Sequence, residues 1–185
     1  MAAATPTKLL TFDEWSELGW DTIKTTELVD GEVVPVAYTR AIHEWVKKQA
    51  AKIFWSYFAR NPVGEVYPEV IFELNERLGR RPDVSIFVPD RIPPAEGPFV
   101  GSPEIVFEVV SSETTEEADR RIRDYFAYGA KYVVMAYPES RSFWVYDSAS
   151  RAHRLESNES LTFPDLLPGF SARVGDFFPG PPPNT

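Results

Sequence analysis

The chain has 185 residues, of which 43% are hydrophobic and 14% are aromatic, and its formal net charge at pH 7 is −9. This length and composition predict one globular domain with a core of its own and exclude a disordered chain. The chain has no cysteine and only two histidines, which excludes disulfides, cysteine-ligated metals and histidine-rich metal sites. The acidic balance disfavours broad, nonspecific affinity for nucleic acid.

The two ends of the sequence predict no membrane attachment and no structured extension. No apolar run is long enough to cross a bilayer, and residues 1–7 lack the basic and apolar regions of a signal peptide. We therefore expect a cytoplasmic protein. Residues 179–185 are rich in proline and are expected to form a disordered tail, which leaves a single domain over residues 1–178.

Two local signals organise the N-terminal part of the chain. Thr11 and Glu14 form a capping-box pattern that predicts a short helix over residues 11–18. The dipeptide Asp30-Gly31 lies between apolar runs at 26–29 and 32–36, which predicts a β-hairpin.

The middle of the chain changes from helical to strand-like periodicity. Apolar residues recur at helical spacing over residues 40–59 and predict a long helix. Residues 65–74 and 82–88 are strand-like, with a turn at 75–77 between them. Residues 89–103, with five prolines, predict a stiff surface loop.

The second half predicts a strand–helix–strand unit. Residues 104–110 are apolar on both faces except for their glutamates, which predicts a central strand. A second capping box, Thr114 with Glu117, predicts a helix over about 115–128 that ends at Gly129. Further strands are predicted at 131–136, 142–147 and, more weakly, 151–156. Together these elements predict an α/β (α+β) fold with one mixed β-sheet flanked by helices and an N-terminal hairpin.

The most informative feature is a pair of carboxylates in two apolar strand-like runs. Asp83 opens the run 83–88, and Glu108 lies inside the run 104–110. A charge in such a run is costly to bury unless it is paired or holds a metal. On neighbouring strands, the two would form an oxygen-rich site suited to Mg²⁺ or Mn²⁺. The alternative is that each carboxylate lies near a strand end and points to solvent.

The order of several short motifs resembles a known group of nucleases. Pro82-Asp83 followed by Glu108-Val109-Val110 resembles the core of the PD-(D/E)xK nuclease superfamily. More closely, residues 11–178 resemble a bacterial family described as restriction-endonuclease-like. The other matching pieces are, in order, Glu27-Leu-Val-Asp-Gly-Glu32, His43, Ser111-Ser-Glu-Thr114, Tyr125 with Gly129, Pro138-Glu139 and Leu167-Pro-Gly-Phe170.

This resemblance implies a restriction-endonuclease-like core and a set of site residues. Asp83 and Glu108 would ligate Mg²⁺ or Mn²⁺, with the main chain of Val109 as a third ligand. Glu27 would be an outer metal ligand or a hydrogen-bond partner of a metal-bound water. The alternative for Glu27 is a cross-strand partner within its hairpin.

The chain departs from the superfamily motif at one position. Val110 stands where the superfamily has a lysine, and the family's lysine, which comes from the following helix, matches Arg121. Arginine can stabilise negative charge on a phosphate but cannot serve as a general base. The alternative for Arg121 is an ion pair with Glu117 one helical turn earlier. His43 could act as a base or phosphate contact, or be structural.

Three functional hypotheses follow from these residues. The first is a metal-dependent nuclease that hydrolyses phosphodiester bonds in DNA, plausibly as a homodimer that cuts both strands. The second is a binding or interaction module that keeps the nuclease fold without its chemistry, which the missing lysine and the acidic charge motivate. The third is a metal-dependent hydrolase with a substrate other than nucleic acid.

Overall fold

A computed structural model of the protein describes residues 8–36, 40–88 and 98–180. Most of the predicted proline-rich loop, residues 89–97, and residues 181–185 of the predicted tail lie outside the described residues. Within the part of the chain that the structure describes, no helix is long and apolar enough to cross a membrane.

The described residues form four α-helices, thirteen strands and a 3-10 helix. The helices are α1 (Phe12–Ser16), α2 (Trp20–Ile23), α3 (Ala41–Phe58) and α4 (Thr115–Ala127), and the 3-10 helix is Val174–Phe177. The strands are β1 (Thr26–Val29), β2 (Glu32–Pro35), β3 (Glu65–Pro68), β4 (Phe72–Asn75), β5 (Leu78–Arg80), β6 (Val84–Phe87), β7 (Phe99–Val100), β8 (Ile105–Val109), β9 (Tyr132–Tyr137), β10 (Ser142–Ser148), β11 (Arg151–Leu155), β12 (Ser160–Phe163) and β13 (Leu167–Arg173).

These strands form two mixed sheets and a two-stranded ribbon rather than the single sheet that the sequence predicted. One sheet has the order β2-β1-β5-β4-β7, the other has the order β11-β10-β9-β8-β6-β3, and β12 pairs with β13. The difference arises where the predicted strand 65–74 divides into β3 and β4, because Glu69 between them has a φ of 55°. The mixed α+β class with helices against the sheets and an N-terminal hairpin is confirmed.

The local signals are confirmed in the structure. Thr11 and Thr114 each cap a helix, and each capping box is closed by the glutamate three residues later. The hairpin turns at Asp30 and Gly31, with φ values of 53° and 82°. Two consecutive residues with positive φ are typical of the type I′ turn, whose twist matches that of the flanking strands.

The six-stranded sheet lies between α3 and α4, and its central strand β8 presents alternate residues to each. Ile105, Phe107 and Val109 belong to the core cluster on the α3 side. Val106 belongs to the cluster on the α4 side. Because side chains alternate along a strand, Glu108 also points towards α4. Strands β8 and β9 are parallel and α4 connects them, as the strand–helix–strand pattern predicted.

Candidate active site

The two predicted metal ligands are brought together at the ends of neighbouring antiparallel strands. Val84 of β6 pairs with Phe107 of β8, so Asp83 and Glu108 lie side by side at the end of this ladder. The main-chain N–H of Asp83 donates to Oε2 of Glu108 at 3.3 Å. In return, the N–H of Val109 donates to Oδ2 of Asp83 at 2.8 Å. These crossed hydrogen bonds fix both carboxylates at one point, and neither simply extends into solvent.

Glu108 lies in a closed environment that opposes its ionisation. The residue is only 6% exposed, and its Oε1 accepts a hydrogen bond of 2.6 Å from the hydroxyl of Tyr125. Burial raises the pKa of Glu108 from 4.5 to about 7, and the negative charge of Asp83 adds to this rise. Arg121 and the Tyr125 hydrogen bond oppose the rise without cancelling it. The positive charge of Arg121 therefore does not fully compensate the negative charges of Glu108 and Asp83.

Arg121 extends from α4 between two buried carboxylates. Its Nη1 lies 2.9 Å from Oε1 of Glu27 and 3.4 Å from Oε1 of Glu108. Burial by itself would lower the pKa of Arg121, but Glu27 and Glu108 raise it well above its ordinary value. The alternative ion pair with Glu117 does not form, because the Glu117 carboxylate closes the capping box on Thr114.

Glu27 is the anchor of this arrangement. Its Oε2 accepts from Nη1 of Arg80 at 2.9 Å, and its Oε1 accepts from the main-chain N–H of Arg81 at 2.9 Å as well as from Arg121. Burial would raise the pKa of Glu27, but the charges of Arg121 and Arg80 lower it below its ordinary value. Its neighbour across the hairpin is Val34, so Glu27 is not a cross-strand ion-pair partner.

Sequence reasoning missed the contributions of Arg80 and Tyr125. Arg80 is 5% exposed, and its Nε also donates to Oδ2 of Asp124 on α4 at 3.1 Å. Arg80 lies in a short basic cluster with Arg77 and Arg81, and clusters this short are typical of solvated surfaces. The only signal for a role at the site was its position two residues before Pro82.

His43 joins the site from the first turns of α3. Its Nε2 lies 3.2 Å from Oδ2 of Asp83, and the residue is 5% exposed. Burial would lower the pKa of His43, but the hydrogen bond to Asp83 and the charge of that carboxylate raise it above its ordinary value. His43 therefore holds the same carboxylate oxygen, Oδ2 of Asp83, that accepts from the main-chain N–H of Val109.

The comparison with known proteins identifies the family. Residues 11–175 match the Uma2 family model, whose description is "Putative restriction endonuclease". The chain belongs to the Uma2 family. Membership of this family supports a nuclease function for the chain. No curated protein matches this Uma2 chain significantly in sequence.

A solved structure shares the fold of this Uma2 chain. It is the crystal structure, at 1.96 Å resolution, of a "putative nuclease belonging to DUF820" from Anabaena variabilis ATCC 29413. The two superpose with a TM-score of 0.80 at 18% sequence identity, covering 91% of this chain and 97% of the other. The likeness confirms the nuclease-like fold that the sequence predicted.

The carboxylates of the Uma2 chain open into a cavity large enough for a substrate group. The cavity has a volume of about 520 Å³ and is lined by Asp83, Glu108, Arg121 and His43, together with Val34, Pro35 and Val36 after the hairpin turn. The hairpin thus forms one wall of the site and the start of α4 forms another. Val109 also lines this cavity.

The donor atoms fit a hard divalent cation that keeps part of its water shell. Among the described residues, no group of three or more histidine, aspartate or glutamate side chains is arranged around one point. The side chains at the site supply the two carboxylates Asp83 and Glu108. Mg²⁺ is commonly bound by one or two carboxylates, with water and substrate phosphate completing its shell. A Val109 carbonyl ligand stays a prediction.

Proposed function

We propose that this Uma2 protein is a metal-dependent nuclease that hydrolyses phosphodiester bonds in DNA. The observation that carries the proposal is the pair Asp83 and Glu108, held together by crossed main-chain hydrogen bonds at the floor of a cavity. Their position at adjacent strand ends supports a shared ligand. The family description and the fold support a nucleic acid as the substrate.

Asp83 and Glu108 would hold Mg²⁺ or Mn²⁺, the ions that oxygen ligands prefer. When bound, such an ion activates water and neutralises charge on the phosphate. The raised pKa of Glu108 supports this assignment, because Arg121 alone does not fully compensate the charge of an ionised Glu108 beside Asp83. The burial of two neighbouring carboxylates is costly unless enough positive charge compensates them.

Arg121 would stabilise the negative charge that develops on the phosphate. Nη1 is engaged by Glu27 and Glu108, and the guanidinium has further N–H donors for a phosphate oxygen. Since its pKa lies well above the ordinary value, Arg121 stays cationic and does not take up a proton from water. His43 would keep the Asp83 carboxylate oriented by its hydrogen bond through Nε2.

One observation favours a second function, a nuclease-fold binding module without catalysis. Nη1 of Arg121 bridges Glu27 and Glu108 and so supplies positive charge to both carboxylates. An arginine that neutralises Glu108 permanently would make an ion unnecessary for folding. The two functions differ in their response to divalent ions.

The proposal includes a homodimer, since two copies of one site cut both strands of a duplex most simply. It also includes a cytoplasmic location, because a chain without cysteine forms no disulfides and so needs no oxidising compartment. Sedimentation of the protein with and without a DNA duplex tests the dimer. A monomer in both conditions would restrict the proposal to single-strand cleavage.

The decisive experiment is calorimetry with Mn²⁺ on the wild type, Asp83→Ala and Asp83→Asn, each with and without a short DNA duplex. Asp83→Asn keeps an oxygen to accept from Val109 and so preserves the fold while removing the charge. We expect wild-type binding that both variants lose, and DNA cleavage that disappears with it. The matched control is Glu76→Gln, an exposed carboxylate on a turn. Absence of Mn²⁺ binding by the wild type in both conditions would refute the nuclease and favour the binding module.

A further inference from the structure

Outside the active site, one face of α3 combines exposed aromatic rings with exposed positive charge. We call Trp45, Lys48, Lys52 and Trp55 the α3 stripe. Trp45 is 52% exposed and Trp55 is 47% exposed, and both lysines are exposed. With 3.6 residues per turn, the four positions lie within roughly 80° of one another around the helix. They therefore form one continuous surface.

The stripe lies outside the core-facing side of α3. The core face of α3 is formed by other residues, among them Val46, Ala50 and Phe54, which are fully buried. Lys48 and Lys52 make no ion pair within the described residues, whereas the buried Lys47 is paired with two glutamates at 2.7 Å. Lys47 thus has a structural role, whereas Lys48 and Lys52 are available to bind a ligand.

The Trp55 ring is held in place with part of its surface in solvent. Its indole N–H donates to the main-chain carbonyl of Val66 on β3 at 3.3 Å. A ring fixed in this way presents an aromatic surface at little entropic cost, which is what a stacking platform requires.

The stripe runs along the outer side of α3, the helix that also carries His43 of the active site. Trp45 lies two residues after His43, roughly 200° around the helix, so the indole and the imidazole point to nearly opposite sides of α3. From Trp45 to Trp55 the helix rises roughly 15 Å at 1.5 Å per residue. A stacked nucleic-acid strand rises about 3.4 Å per nucleotide, so this path along the helix has room for several nucleotides.

Positive charge continues beyond the stripe. Lys52 also borders a shallow concavity whose other charged residues are Arg60, Arg173 and Asp176, three cations against one anion. The chain as a whole has a net charge of −9. A local excess of cations on such a chain is complementary to phosphate, because the local field and not the total charge attracts a ligand.

We infer that the α3 stripe binds a single-stranded segment of the nucleic acid on which the protein acts. The indoles of Trp45 and Trp55 stack on bases, and Lys48 and Lys52 contact phosphates. The inference rests on the proposed function and specifies its substrate as nucleic acid with an unpaired strand. In a paired duplex the base faces are covered by their neighbours, so two exposed rings would have nothing to stack on.

The test measures binding separately from cleavage. In an Asp83→Asn background, fluorescence anisotropy follows a labelled oligothymidylate of about 12 nucleotides, and a duplex of equal length is measured in parallel. We expect Trp45→Ala and Trp55→Ala each to weaken single-strand binding by roughly 5- to 100-fold. We expect Trp55→Phe, which keeps a ring, to retain most of it. The control is Trp20→Ala, which removes a tryptophan that is 65% exposed on α2.

The lysines are tested by salt dependence. Replacing Lys48 and Lys52 by alanine should reduce the slope of log affinity against log salt by about 1.4, at about 0.7 per phosphate contact on a single strand. Lys131→Ala, an exposed lysine outside the stripe, should leave the slope unchanged. Trp55→Ala and Trp55→Phe also lose the hydrogen bond to Val66. Urea unfolding therefore measures the stability of every variant, and binding is measured only where each variant is fully folded.

The outcomes separate this inference from the proposed function. If the tryptophan variants bind the oligonucleotide like the parent while wild-type protein cleaves DNA, the α3 stripe is refuted and the nuclease stands. If the stripe variants lose binding while the wild type cleaves nothing, the stripe is supported and the chemistry fails. A parent that binds no oligonucleotide refutes the stripe, as does a change from dimer to monomer in Trp45→Ala without loss of binding.

Discussion

The charge state of Glu108 gives a quantitative prediction, tested by Glu108→Gln. Its pKa is raised from 4.5 to about 7 in the folded protein, so the folded state keeps a proton that the unfolded chain loses between those pH values. The contribution is fully present below pH 4.5 and is lost as pH rises to about 7. At 1.36 kcal/mol per pKa unit, the wild type should lose about 3 kcal/mol of stability across this window.

Glutamine at position 108 does not titrate and so removes this pH dependence of the stability. Its side-chain oxygen can still accept the hydrogen bond from the hydroxyl of Tyr125. The difference between wild type and Glu108→Gln, measured by urea unfolding at pH 5, 6, 7 and 8, should therefore change by about 2.5 kcal/mol, because part of the loss has already occurred at pH 5. Groups that titrate in both proteins cancel in that difference. The control Glu76→Gln, at an exposed turn position, should show no such change.

A divalent ion extends the same test. At pH 8, Mn²⁺ at about 100 times its dissociation constant should stabilise the wild type by about 2.7 kcal/mol and leave Glu108→Gln nearly unaffected. If wild type and Glu108→Gln share one pH dependence, Glu108 is ionised throughout this range. The argument that burial and Asp83 oppose its charge would then be refuted.

Two further predictions concern the groups around Glu108. Arg121→Lys should retain DNA cleavage but add a limb to its pH–rate profile, because a buried lysine can lose its proton where arginine cannot; an unchanged profile would contradict this. Tyr125→Phe removes the 2.6 Å hydrogen bond to Glu108 and should destabilise the protein by roughly 1.5–3 kcal/mol above pH 7. Its effect should shrink below pH 5, where Glu108 is protonated, and urea unfolding at both pH values checks this.

The sequence predicted those parts of the fold that depend on a few neighbouring residues. Asp30-Gly31 defines the hairpin because two positive φ values are needed there, and the Thr114–Glu117 box defines the start of α4. The ribbon of β12 and β13 was not predicted. β12 has only four residues, and β13 buries Leu167 and Phe170, which are three positions apart with Pro168 and Gly169 between them, so it lacks the alternation that identifies a strand.

The sequence likewise predicted only those parts of the site that depend on neighbouring residues. Asp83 and Glu108 were found because each is a charge in an apolar run. The links from Glu27 to Arg80 and Arg121 span 53 and 94 residues of sequence. No periodicity connects residues so far apart, and only the packing of α4 and the hairpin against the same strands brings them together. The pairing therefore had to come from the structure.

The contact between Arg121 and Glu27 can form only late in the synthesis of the chain. Glu27 is synthesised early, but the guanidinium that it holds follows 94 residues later. A nascent chain that ends before α4 has the hairpin without its cation, and a fragment that starts after the hairpin has both carboxylates without their anchor. The active arrangement is thus expected only after the whole domain has left the ribosome. The fold itself would delay cleavage until synthesis of the domain is complete.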